Sequence, residues 1–221
     1  MKSFPALLVY AFLVAGVGIV IEARRSATKS AQAIAAEDAL GATSREKTHR
    51  PTAAMLAAAA KAGGTSAPPF LVVAPDGKTI STAALATSRP LLLVFVKDGC
   101  PCNEAEQPFL NLLRDTYGDR AEFAAVFDGD AVAARRWATA NLTRFTMLPD
   151  PSMELVRRYG VENSAYVVLV SPGGKVAKAW PGFSDEMLQT LNDRLGETGG
   201  GVKRLLTFVG APSEMYTGCP Y

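Results

Sequence analysis

The residues most able to do chemistry are Cys100 and Cys102, in the stretch "LLLVFVKDGCPCNEAEQPFL" at positions 91–110. They follow an apolar run of strand length and precede a segment with helical periodicity. A loop at the C-terminal end of a central strand, opening into a helix, is a favoured place for chemistry. Free backbone N–H groups and the helix dipole favour negative charge there, and a thiolate is such a charge. Cys100 is therefore expected to be a water-accessible, easily ionised nucleophile. Lys97 supports that charge, whereas Asp98, Glu104 and Glu106 oppose it.

The spacing constrains any disulfide. On a regular helix, positions i and i+2 point to nearly opposite sides, so a Cys100–Cys102 bond needs a non-helical local backbone. Pro101 limits the choices. So small a ring would be strained, and strained disulfides are readily reduced. The third cysteine, Cys219, lies in "YTGCPY" at the extreme C-terminus. If the tail folds back, it can resolve a bond formed at Cys100. A permanent Cys102–Cys219 bridge would instead close a long loop, worth about 4–5 kcal/mol on the chain-entropy account. Each cysteine also has an inert reading as a small buried apolar residue. Closely spaced thiolates further suit a soft ion such as Cu(I). The one histidine, His49, falls in a polar linker, remote from the cysteines in sequence.

The elements that must position these residues follow from periodicity. "LLLVFV" (91–96) is an unbroken apolar run suited to a strand covered on both faces. The following helix has Ala105, Phe109, Leu112 and Leu113 on one face, Asn103 as a candidate cap, Pro108 as an internal kink, and Gly118 as its stop. "AEFAAVF" (121–127) is a strand and "AVAARRWATAN" (131–141) a helix. "FTML" (145–148) is a short strand. Asp150 is placed to cap a helix beginning at Pro151 and ending at Gly160. "AYVVLV" (165–170) and "KVAKAW" (175–180) form a hairpin through "SPGG". A final helix starts at Ser184. Strands alternating with helices imply a central sheet covered on both faces, the α/β class.

Upstream, residues 4–21 carry no charge and can just span a bilayer as a helix. An uncleaved anchor over residues 1–22 is favoured over a signal sequence, because no small-x-small cleavage site follows closely. Residues 23–66, rich in Ala, read as a spacer with one helix at 53–64. Residues 67–197 read as the folded domain, and 198–221 as a tail carrying Cys219. The chain has 221 residues, 48% hydrophobic and 20% charged, with a formal net charge of +2. That composition fits a folded protein and gives no basic stripe for nucleic acid. Three cysteines are too few for a disulfide scaffold, and one histidine excludes a multi-histidine metal site. No cofactor is required.

Three ordered stretches resemble the thioredoxin-like superfamily, in its redoxin and alkyl hydroperoxide reductase/thiol-specific antioxidant (AhpC/TSA) branch, and membrane-tethered thioredoxin-like proteins. They are "APPFLVVAPDGKTISTAALATSRPLLLVFVKDGCPC", "FTMLPDPSMELVRRYGV" and "AYVVLVSPGGKVAKAWPGFS". The resemblance implies a three-layer α/β/α sandwich with a central mixed sheet, preceded by the N-terminal transmembrane helix. It also implies a domain on the extracytoplasmic side, although Arg24, Arg25 and Lys29 after the span favour the cytoplasm by the positive-inside rule.

By position, Cys100 matches the family's N-terminal nucleophilic cysteine, and Cys102 stands for the second cysteine one residue early. Ala165 falls where thioredoxins carry a cis-proline. Lys97 stands where peroxiredoxins place Thr or Ser, and "VENSAY" lacks their Arg. The expected activity is thiol–disulfide exchange, with Cys100 as nucleophile and Cys102 or Cys219 as resolving thiol. The partners are a disulfide-bearing protein and a thiol electron donor. The alternatives are a peroxiredoxin-like peroxidase acting on hydroperoxides and a Cu(I)-binding module.

Overall fold

The computed structural model describes residues 49–197 and 204–221. The expected anchor, and the spacer up to residue 48, lie outside the described residues. Among the described residues, no helix is long and apolar enough to cross a membrane.

The centre of the molecule is β3 (Leu91–Val96), whose six side chains are all fully buried. Alternation along a strand sends successive side chains to opposite faces. Leu92, Val94 and Val96 enter one apolar cluster, and Leu91, Leu93 and Phe95 enter another. Burial on both faces is why the run contains no polar residue.

β3 lies between parallel β4 (Glu122–Phe127) and antiparallel β6 (Tyr166–Val170). β5 (Thr146–Pro149) extends the sheet in parallel beyond β4. β7 (Val176–Trp180) closes it in antiparallel fashion beyond β6, giving the order β5-β4-β3-β6-β7. A separate two-stranded hairpin pairs β1 (Leu71–Val73) with β2 (Thr79–Ser81).

One face of the sheet is covered by α3 (Pro101–Tyr117), α4 (Ala131–Ala140) and α6 (Asp185–Glu197), through Leu110, Leu113, Trp137, Leu188, Leu191 and Leu195. The other is covered by α1 (Ala53–Ala62), the hairpin and α5 (Glu154–Arg158), through Ala59, Phe70, Leu155 and Val156. The short α2 (Thr82–Leu85) follows the hairpin. This is the expected three-layer α/β/α sandwich with a mixed sheet. Trp137 and Trp180 are both buried in it, as packing residues.

Three local expectations change. The ordered fold begins before residue 67: α1 packs on β7, Gly64 donates to the Val176 carbonyl, and Val176 donates to Thr65. α3 starts at Pro101, not after Asn103, and Cys100 is its N-cap. The Asn103 side chain is instead buried. It accepts the Lys97 amide at 3.1 Å and donates to the Phe95 carbonyl at 3.2 Å, tying the cysteine loop to the end of β3. Pro108 is accommodated within α3.

The third change is at Asp150, after which the chain turns at Pro151 and Ser152 before α5 begins at Glu154. Asp150 still caps that helix from a distance. Its carboxylate accepts the amides of Glu154, Leu155 and Val156 at 2.8, 2.9 and 3.1 Å. Three charge-assisted bonds to otherwise orphaned amides hold a five-residue helix that could not stand alone. Asp150→Ala is expected to lower unfolding free energy by about 2 kcal/mol. Urea denaturation checks this, and an unchanged midpoint would show that the cap is dispensable.

Candidate functional site

The backbone of Cys100 is extended (φ −87°, ψ 112°), so Cys100 stands outside the helix while Cys102 stands inside its first turn. That break in geometry brings the two side chains together despite their i, i+2 spacing. Gly99, with φ of 70°, makes the turn that delivers Cys100 from β3 to α3. Pro101 occupies the first helical turn, where its missing N–H costs nothing.

Four groups converge on the Cys100 sulfur. The Cys102 thiol hydrogen-bonds to it, the Ser164 hydroxyl donates at 3.2 Å, and the Cys219 amide donates at 3.2 Å. The Cys219 side chain adds a fourth, weaker interaction. Together they hold the Cys100 thiol down at about 4, with Cys102 the largest contributor, against the opposing effect of burial. Hydrogen bonds to the charged form favour ionisation.

Cys102 is pushed the other way, well above the ordinary thiol range. Its bond to Cys100 comes first, then burial, then the charge on Cys100. At neutral pH the pair is thus one thiolate and one thiol. All three cysteines are unbridged in this structure.

Ser164 and Ala165 enter the site from the loop before β6. Ala165 is fully buried in a left-handed conformation (φ 54°), and its amide donates to the Phe95 carbonyl at 2.9 Å. A non-glycine residue in this region carries about 1–2 kcal/mol of strain. Proline, the thioredoxin residue at the matching place, fits neither this φ nor this hydrogen bond. The local architecture therefore depends on Ala165 having an N–H.

The C-terminal tail forms the roof, and this corrects the expectation of an accessible sulfur. Cys100 is 1% exposed and Cys102 is 0% exposed. Ser164 donates its amide to the Cys219 carbonyl and accepts from the Gly218 amide, both at 2.9 Å. Lys97 does not act on Cys100. Its ammonium donates to the Pro220 carbonyl and lies 5.9 Å from the Tyr221 ring centroid, clamping the tail.

His49 is not remote. Its Nδ1 lies 3.7 Å from Cys102 Sγ and 3.3 Å from the Thr217 carbonyl. Nonetheless, among the described residues no group of three or more His, Cys, Asp or Glu side chains is arranged to hold a metal ion.

Sequence reasoning placed Glu106 as a charge opposing the Cys100 thiolate and missed its burial. It is fully buried on α3, and neither carboxylate oxygen has a hydrogen-bond partner among the described residues. Burial, then the Cys100 charge, pushes its carboxyl well above the usual carboxylate range. The available signal was its i+4 spacing from Cys102, which puts both on one helix face once the helix starts at Pro101. Ser164 carried no signal beyond its place before Ala165.

A sequence profile of the AhpC/TSA family matches residues 64–181. No curated protein matches the chain. Several solved structures share the fold. A thiol-disulfide oxidoreductase from Bacteroides fragilis is 22% identical, covering 59% of this chain and 99% of its own, with a TM-score of 0.53. A thiol:disulfide interchange protein from Bacteroides sp. is 18% identical, covering 62% and 93%, with a TM-score of 0.55. A secreted Mycobacterium tuberculosis disulfide oxidoreductase, described as homologous to E. coli DsbE, is 22% identical, covering 57% and 93%, with a TM-score of 0.50.

Two outcomes test this geometry. The Cys100-dependent thiolate absorbance, taken as wild type minus Cys100→Ser in reduced protein, is expected to titrate near pH 4. The folded group is depressed, so its stabilising contribution is complete above the unfolded thiol value of about 8.5 and is lost as pH falls through about 4. A transition near 8.5 in the folded protein would contradict the hydrogen-bond account. Ala165→Pro is expected to destabilise by about 3 kcal/mol or more in urea denaturation, and an unaltered midpoint would show that the alanine amide and its φ are unimportant.

Proposed function

The chain belongs to the AhpC/TSA family, and from that premise we propose a thiol–disulfide oxidoreductase in which Cys100 is the nucleophile and Cys102 the first resolving thiol. The observation that carries this reading is the Cys100 sulfur, held as a thiolate by hydrogen bonds from Cys102, Ser164 and the Cys219 amide. A thiolate is the attacking species in disulfide exchange, and a neutral thiol beside it is a resolving group in waiting.

In the first step the Cys100 thiolate attacks one sulfur of a substrate disulfide. A Cys100–substrate bond forms, the substrate S–S bond breaks, and the second substrate sulfur leaves as a thiolate that takes up a proton. The Cys100 charge is thereby consumed. Its hydrogen bond and its charge were two of the three leading causes holding Cys102 protonated, so Cys102 becomes easier to ionise. Loss of the same charge also makes the Glu106 carboxyl easier to ionise, and the proton that Cys102 gives up ends on the departing substrate sulfur. The Cys102 thiolate then attacks the Cys100 sulfur and releases the substrate's remaining thiol. The substrate gains two electrons, and the Cys100–Cys102 pair is oxidised. A thiol electron donor resets it.

The peroxidase alternative has less support. The groups that stabilise the Cys100 thiolate are thiols, a hydroxyl and an amide, and Lys97 is engaged with the tail. The apolar stretch 4–21 supports a membrane tether, and the extracytoplasmic side is supported by the description of the mycobacterial neighbour as secreted, against the charges that follow the stretch.

The test is turnover of a model protein disulfide, such as insulin, with a dithiol donor. Cys100→Ser is expected to lose at least about a thousandfold in rate, and retained turnover would overturn the assignment. Cys102→Ser together with Cys219→Ser is expected to stop after one step with a trapped Cys100 mixed disulfide. Loss of the Cys100 thiol to hydrogen peroxide faster than that of a free thiol would instead favour the peroxidase.

A further inference from the structure

The tail over Cys100 is bound as a strand would be. Every N–H from Thr217 to Tyr221 has a partner, Pro220 having none to offer. Thr217 donates to the His49 carbonyl, Gly218 to Ser164, Cys219 to Cys100 Sγ, and Tyr221 to the Glu162 carbonyl. Asn163 and Pro220 form an antiparallel bridge, and the Asn163 side chain donates to the Gly218 carbonyl at 2.8 Å. Ser164 uses both its N–H and its C=O on the tail. This is strand addition, in which the backbone supplies affinity and side-chain sites supply selectivity.

The sites are specific. A Cβ at residue 218 would stand 2.2 Å from Ser164 Oγ and 2.6 Å from the Ser164 backbone, so only glycine fits before the cysteine. Residue 219 brings its sulfur to Cys100. Two residues on, the Tyr221 ring packs on the core cluster and lies beside the Lys97 ammonium.

We propose that residues 217–221 are a tethered stand-in for substrate, seated on the backbone edge Glu162–Ala165. That edge takes, in trans, an extended polypeptide segment bearing cysteine, preceded by glycine and followed two residues later by an aromatic. The incoming segment must displace the tail, so the resting enzyme keeps Cys100 covered until a better-fitting strand arrives. The identity of the incoming segment as a disulfide substrate rests on the disulfide-exchange reading. Occupancy of the edge by the tail does not.

The experiment therefore reads protection of Cys100 rather than turnover. Full-length reduced protein is treated with iodoacetamide at pH 7, and modification of the Cys100 peptide is followed by mass spectrometry. Gly218→Val is expected to raise the Cys100 rate at least tenfold. Adding the peptide Tyr-Thr-Gly-Ser-Pro-Tyr, which is redox-inert, is expected to restore protection to that variant, whereas Tyr-Thr-Val-Ser-Pro-Tyr is not.

A Cys100 rate within twofold of wild type in folded Gly218→Val overturns the proposal, as does equal protection by both peptides. Should Gly218→Val fail to fold, Lys97→Ala decides. Loss of the clamp on Pro220 and Tyr221 is expected to speed Cys100 labelling at least threefold, and an unchanged rate overturns the proposal. Tail-dependent protection without turnover would refute the enzyme reading and leave the strap standing.

Discussion

The arrangement depends on one shared sulfur. Cys100 Sγ accepts from a thiol on its own helix, a hydroxyl before β6 and an amide on the C-terminal tail. Burial alone would raise a thiol's pKa and leave it inert. Here, donors supplied by three separate segments outweigh the desolvation they cause. Removing water and adding hydrogen bonds are one structural act, because the tail that covers the sulfur also donates to it.

That act fixes the protonation states around it. A charge at Cys100 keeps Cys102 protonated and adds to the upward push on the Glu106 carboxyl. The three groups are coupled, and ionisation of one opposes ionisation of the others. In the proposed exchange, covalent capture of substrate removes the Cys100 charge and makes Cys102 easier to ionise, so the proposed order of steps follows from the electrostatics of one buried pocket. A buried acid with no hydrogen-bond partner among the described residues is costly to the fold.

The scaffold makes this possible through rigidity elsewhere. β3 is fully buried on both faces, and its end is tied to the cysteine loop by Asn103. On the other side, Phe95 holds Ala165 in its left-handed conformation through a backbone bond. The two loops that meet at Cys100 are therefore both anchored to the same residue of the same strand. Residues 217–221, by contrast, are held over the sulfur by a strand-like run of hydrogen bonds, the Lys97 contact and the packing of Tyr221.

Much of the fold was legible in the chain because it depends on short-range physics. The apolar run 91–96, the helical face of 105–113 and the glycine-rich turn at 171–174 each declare themselves within a few residues. The cysteine pair at the end of a central strand is equally local.

Boundaries set by a cap slipped more easily. Asn103 is a good cap by type, but its buried hydrogen bonds to Lys97 and Phe95 left the role to Cys100. What the tertiary structure alone decided is the environment of the sulfur. Cys100 meets the Cys219 amide across 119 residues and Ser164 across 64, and His49 meets Cys102 across 53. No local periodicity encodes such meetings. They follow from where the sheet order brings separate loops together, and they convert a cysteine expected in water into a covered thiolate.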